Sequence, residues 1–215
     1  MVTVKLHGMP HSASTRRAWV IAKEIGLDVK IVPVNMSKGE HKDPAYIDNY
    51  HPFGITPVLE DEDGTKVYES RAIARYLVTK YAKGSTLLPD TSDPKAYGLF
   101  EQAASIEYSS FDPSASALSY ERVFGPMKGP NADKELIKKC VDTLDNAFSG
   151  YERILSKQKF LAGDNLTLAD LFHLPYGKII YDLEPQLYSK RPNLTRWWKE
   201  VATRQTWHDA QRLQL

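Results

Sequence analysis

A chain of 215 residues with 42% hydrophobic side chains and a formal charge of only +1 has the composition of a folded globular protein, one compact unit or two small domains. The near-balance of 28 basic and 27 acidic residues leaves no broad positive field, so neither nucleic acid nor an anionic membrane is expected as a partner. The first apolar run is too short and too charged for a signal peptide, and no stretch reaches the length of a membrane span. A lone cysteine, Cys140, excludes an intramolecular disulfide and makes a reducing, cytoplasmic setting the expectation.

Taken in chain order, Val2-Thr3-Val4-Lys5-Leu6 alternates with period two and predicts a strand, which Gly8 and Pro10 end. Ala18, Ile21, Ala22 and Ile25 then follow helical spacing, with Gly26 at the C-terminal cap position. Between the two, Ser12, Ser14 and Thr15 crowd a helix N-terminus, where backbone N–H groups lack internal partners and the macrodipole favours negative charge. The local sequence leaves two readings open, a simple helix cap or a site for an anion. Further strands are expected at Val29–Val32, at Thr56–Glu60 and, after the Asp61-Glu62-Asp63-Gly64 turn, at Lys66–Tyr68. A helix begins at Ser70, with Ile73, Ala74, Leu77, Val78 and Tyr81 on one stripe. The order β-α-β, loop, β-β-α resembles a thioredoxin-like domain, and Pro57 predicts a cis peptide after Thr56.

Turn residues without helical period over 84–94 read as a linker, so residues 1–83 are expected to form the α/β thioredoxin-like domain and 95–215 an all-α domain. Helices are predicted near 95–122, 132–156, 167–180 and 193–203, the second with a core stripe of Ile137, Val141, Leu144, Phe148, Tyr151 and Leu155. Thr167-Leu168-Ala169-Asp170 has the form of a capping box, and Cys140, on the same helix as the core stripe, reads as a packed thiol. The six histidines show no metal-ligand spacing, no phosphate-binding glycine motif appears, and Trp197, Trp198 and Trp207 read as packing residues. No metal, nucleotide or tightly bound cofactor is expected.

Four spaced segments carry a more specific likeness. Gly8-Met9-Pro10-His11-Ser12-Ala13-Ser14-Thr15-Arg16-Arg17, Gly39-Glu40-His41-Lys42, Pro52-Phe53-Gly54-Ile55-Thr56-Pro57 and Tyr68-Glu69-Ser70-Arg71-Ala72-Ile73 resemble, in order, the glutathione-site motifs of phi-class glutathione transferases. The likeness continues through Phe111–Ser116 and Phe160–Leu171 and so spans nearly the whole chain. It implies glutathione as co-substrate and Ser12 as the catalytic residue, a hydrogen-bond donor to the glutathione sulfur. His41 and Lys42 would face the glycyl carboxylate, Thr56 would exchange backbone hydrogen bonds with the cysteinyl unit beside Pro57, and Glu69 and Ser70 would hold the γ-glutamyl group. Ile55 stands at a glutathione-binding position where the family usually has Gln, a departure that removes a side-chain amide.

The resemblance further assigns Met36, Tyr120 and Phe124 to an electrophile site between the domains, and Phe53 to an aromatic key in a homodimer. The activity implied is conjugation of the glutathione thiolate to hydrophobic electrophiles, extending to organic hydroperoxides. A non-catalytic carrier or regulatory protein of the same fold is the alternative, with Ile55 the main hint toward it.

Overall fold

The computed structural model, which describes residues 2–126 and 132–214, begins with β1 (Thr3–His7), where Val4 and Leu6 are buried and Thr3 and Lys5 exposed, the alternation of a strand with one covered face. The chain then forms α1 (Ala13–Glu24) and returns as β2 (Asp28–Val32), parallel to β1 with Leu6 opposite Ile31. After two short 3-10 turns, Met36–Lys38 and Glu40–Lys42, comes α2 (Pro44–Asn49). Strands β3 (Val58–Glu60) and β4 (Lys66–Tyr68) complete a four-stranded sheet in the order β2-β1-β3-β4, with β3 antiparallel to both neighbours. The Thr56–Pro57 peptide is cis, and β3 begins only after it, two residues later than expected.

Helix α3 (Ser70–Tyr81) packs against α1, and together they bury Ile21, Ala22, Ile73, Ala74 and Leu77. Val58 belongs instead to a smaller core with Val34 and Tyr46, which Tyr50 flanks. This is why α2 is needed: adjacent strand residues point to opposite faces, and Tyr46 of α2 packs with Val58. Asp43 followed by Pro44 is a helix-start signal at this point that the coarse sequence reading passes over.

The second unit runs from Pro89 to Thr203. Residues 94–124 are helical almost throughout, as expected, but as α4 (Pro94–Ile106), a π turn at Glu107–Phe111, α5 (Asp112–Ser119) and a second π turn at Tyr120–Phe124. Pro113 has no N–H to give and its ring collides with the carbonyl four residues earlier, which accounts for the first wide turn. Helix α6 (Lys134–Leu155) buries Leu144, Phe148, Tyr151 and Leu155, with Cys140 on the covered side while Ile137 and Val141 are half-buried.

The helix expected over 167–180 divides into α7 (Leu168–Leu171) and α8 (Leu174–Leu183), where Pro175 starts the second piece. Then come α9 (Gln186–Ser189) and α10 (Pro192–Ala202), whose Trp197 and Trp198 are buried. Helix α11 (Gln205–Gln211) groups with the first unit, Met1–Leu88, rather than with residues 95–203 as expected from the sequence. Its burial of Trp207 and the Arg204–Glu24 ion pair at the end of α1 provide the reason. Among the described residues no helix is long and apolar enough to cross a membrane.

Candidate functional site

Every residue predicted to touch the tripeptide lies in the first unit: Ser12 and Ser70 at helix starts with Glu69 just before α3, His41 and Lys42 on the second 3-10 turn, and Ile55, Thr56 and Pro57 in the loop before β3. Ser12 is the N-cap of α1: its backbone is extended (φ −69°, ψ 130°), its carbonyl takes the Arg16 N–H at 2.9 Å, and its Oγ accepts from the Thr15 N–H at 3.4 Å. That contact is long for a cap. The hydroxyl is half-buried and donates its own proton to nothing among the described residues. Gly8 allows this approach of strand to helix, because a Cβ there would stand 2.5 Å from Thr15 Oγ1 and 3.5 Å from Pro57 Cβ. The start of α1 and the cis-proline segment are therefore neighbours through Gly8.

The proline segment is tied to the preceding loops. Tyr46 Oη donates to the Ile55 carbonyl at 3.0 Å, Lys42 Nζ donates to the Phe53 carbonyl at 3.2 Å, and Thr56 Oγ1 lies 3.7 Å from Met36 Sδ. Burial pushes the Tyr46 phenol up to about 12, so it stays a neutral donor. Gly54, at φ +58°, sits so close to the His41 carbonyl that a Cβ would be 2.6 Å from that oxygen. Only glycine meets both the backbone conformation and the space. His41 Nδ1 is buried with no hydrogen-bond partner among the described residues, while Lys42 is exposed.

At the start of α3, Ser70 is buried and its Oγ accepts from Arg17 Nη1 at 3.0 Å. Arg17 comes from α1 and is itself only 2% exposed. As an acceptor from Arg17, the Ser70 hydroxyl keeps its proton for another partner. Glu69, just before it, is the one non-glycine residue among those described with a positive φ, 68°. A side chain held in that region costs about 1–3 kcal/mol and points to a site rather than to folding economy. The carboxylate of Glu69 is exposed, with Oε1 3.9 Å from Nε2 of buried His51.

Two family models match the chain: the N-terminal domain of glutathione S-transferase over residues 2–79 and its C-terminal domain over residues 115–205. The chain belongs to the glutathione S-transferase family. It is 68% identical over 198 residues to glutathione S-transferase PM239X14 of Arabidopsis thaliana, covering 92% of this chain and 91% of the relative. Glutathione S-transferase F9 of the same plant is 36% identical, over 97% of this chain and 96% of its own. The crystal structure of glutathione transferase F2 from Populus trichocarpa superposes with a TM-score of 0.90 at 36% identity, covering 96% of each chain. These are phi-class relatives, so the class resemblance seen in the motifs holds for the transferase as a whole.

For this glutathione S-transferase the structure gathers Ser12, His41, Lys42, Ile55, Thr56, Pro57, Glu69 and Ser70 into one unit, linked by the contacts above. Met36 is in the same unit and 44% exposed. Tyr120 and Phe124 belong to the second unit, on a π turn rather than on the α-helical face expected; Tyr120 is exposed and Phe124 half-buried. Phe53 stands out from its loop with 72% of its surface exposed.

Sequence reading gives no role to Arg17, His51 or Tyr46, although all three hold site segments in place. Arg17 carried a usable signal, since an arginine on the apolar side of α1 has to find a buried acceptor. His51 and Tyr46 carried none. Among the described residues no group of three or more His, Cys, Asp or Glu could hold a metal ion.

Proposed function

We propose that this transferase ionises the thiol of glutathione with the Ser12 hydroxyl and directs the thiolate at hydrophobic electrophiles. The observation that carries this reading is the state of that hydroxyl: half-buried at the N-cap of α1, it accepts one long bond and has its own proton to give. A free thiol of this kind has a pKa of about 8.5, and lowering it by about two units takes roughly 2.7 kcal/mol of preferential thiolate stabilisation. One hydrogen bond to a charged acceptor supplies about 1.5–3 kcal/mol, and the α1 N-terminus adds about 0.3–2 kcal/mol. No general base is required, and glutathione itself is the nucleophile.

The other residues hold the tripeptide. Ser70 and the N–H groups at the start of α3 suit the γ-glutamyl carboxylate, with Glu69 for the ammonium group. His41, whose Nδ1 lacks a protein partner, and Lys42 suit the glycyl carboxylate, and the backbone of Thr56 beside Pro57 suits the cysteinyl unit. Met36, Tyr120 and Phe124 are the proposed electrophile contacts, on their exposure and their adaptable apolar or aromatic chemistry. With a hydroperoxide in place of an electrophile, two glutathiones would give one disulfide, an alcohol and water.

Phe53 is proposed as the key of a symmetric homodimer, an exposed aromatic of the kind that anchors interfaces. A monomer in sedimentation at micromolar concentration would remove that role. A reducing cytosol is the proposed setting, in keeping with a free, buried Cys140.

The decisive experiment is conjugation of glutathione to a chloro-nitroarene, together with titration of the thiolate absorbance of bound glutathione. Turnover with a bound thiol pKa well below 8.5 is expected, and replacing Ser12 by Ala should return that pKa toward its free value. Ligand binding without any rate above background would leave the carrier reading instead.

A further inference from the structure

His51 is 1% exposed, and its two ring nitrogens meet different segments of the proposed glutathione site. Its Nδ1 receives the backbone N–H of Phe53 at 3.3 Å, at the head of the loop that leads to Thr56 and Pro57. Its Nε2 lies 3.9 Å from Glu69 Oε1, and the ring rests against Tyr68 of β4 at 4.5 Å between centroids. A backbone N–H can only donate, so Nδ1 must be the acceptor, and in the neutral ring the proton is then on Nε2. The tautomer is thus set by the Phe53 loop, and the N–H it leaves lies 3.9 Å from the carboxylate of Glu69, a charge–dipole contact rather than a formed hydrogen bond.

We propose that His51 is a positioning residue for glutathione binding: the Phe53 N–H fixes its tautomer, and its Nε2–H orients the carboxylate of Glu69 toward the ammonium group of the γ-glutamyl unit. The inference rests on the glutathione-site reading above and adds to it a physical link between the cis-proline loop and Glu69. Glu69 needs such a link. Its backbone is in the positive-φ region, its side chain is largely exposed, and the Ile73 N–H to its carbonyl at 2.8 Å fixes the main chain but not the carboxylate.

The groups facing His51 are Glu69 before α3, Tyr68 on β4, Phe53 in the loop and Lys42 on the second 3-10 turn. Burial lowers the imidazole below its ordinary range, opposed by Glu69 and assisted by Lys42, so the ring is neutral near pH 7. Protonation at lower pH would put a hydrogen on Nδ1, directed at the Phe53 N–H, and the loop end of the link would break, while the Nε2 side would keep its attraction to Glu69. Because the folded-state value is depressed, this form is complete above the ordinary imidazole range and is lost as the pH falls through the folded value.

The test uses the full chain and steady-state kinetics with glutathione varied. His51→Leu should raise KM for glutathione by about tenfold with kcat changed by less than about twofold, and in a Glu69→Ala background the same substitution should add less than about twofold. His51→Gln, whose amide reaches the Nε2 position, should restore most of the affinity; His51→Asn, which reaches only the Nδ1 position, should not. Equal losses with and without Glu69, or full rescue by Asn and none by Gln, overturn the proposal. If His51→Leu does not fold, the two amide variants and the acid limb decide. Wild-type KM should rise as pH is lowered below the imidazole range and that rise should shrink in His51→Gln; a flat wild-type profile overturns it. A wild type without turnover sinks the transferase reading, whereas turnover without coupling between His51 and Glu69 sinks only this link.

Discussion

Two helix starts in this protein both carry side-chain oxygens placed to meet free backbone N–H groups, and they end in opposite states. At α7, Asp170 is fully buried and accepts from the N–H groups of Leu161 and Thr167 at 2.9 Å, the Thr167 hydroxyl at 3.0 Å and Trp197 Nε1 at 2.9 Å. Burial still pushes its carboxyl above the usual range against those four donors. At α1, Ser12 is half-buried with a single contact at 3.4 Å, and next to it Thr15 Oγ1 is buried without a partner among the described residues. A saturated polar network stabilises a fold, whereas an unsaturated one at an accessible helix start leaves hydrogen-bonding capacity for a ligand.

The largest effect that follows is at the saturated start. Asp170→Ala removes the acceptor of all four donors and strands the three N–H groups among them, which cannot rotate to another partner, at about 1–3 kcal/mol each, so a loss of at least about 3 kcal/mol is expected in urea unfolding. A loss below about 1 kcal/mol would mean that the network is not the structural element that the comparison requires. Ser12→Ala should do the converse. Conjugation kcat/KM should fall by at least about tenfold, near 1.4 kcal/mol of transition-state stabilisation, with the urea midpoint little changed. Turnover at the wild-type level would transfer the role to Ser14 or to the backbone.

Thr15→Val removes the unpartnered hydroxyl in nearly the same volume and should stabilise the protein by about 1 kcal/mol, seen as a rise in melting temperature. A fall instead would show that the hydroxyl has a partner in solution. The smallest effect is expected at Ile55. Returning the amide with Ile55→Gln should lower KM for glutathione by about threefold, roughly 0.7 kcal/mol, by isothermal titration or initial rates. No change would show that Thr56 and His41 already supply the affinity.

Much of the α/β unit was legible because its signals are local. Alternation in β1, the turn at residues 61–64, the stripe of α3 and the cis-proline position each depend on neighbours a few residues away. The four candidate-site motifs are local patterns of the same kind, and the Thr167–Asp170 capping box was legible for that reason. The breaks in the long helices were predictable in principle from Pro113 and Pro175, but helical period alone runs across them.

By itself, then, the sequence determined the elements, the glycine and proline positions that permit them, and which hydroxyls and carboxylates stand at helix starts. Local pattern alone could not tell one start from the other, since Ser12 and the Thr167–Asp170 box both read as caps; only the motif resemblance set Ser12 apart. Only tertiary structure brought Trp197, 27 residues away, onto Asp170, Arg17 of α1 onto Ser70, and His51 between the Phe53 loop and Glu69. Hydrogen-bond saturation depends on partners distant along the chain, and no local pattern records where those partners arrive.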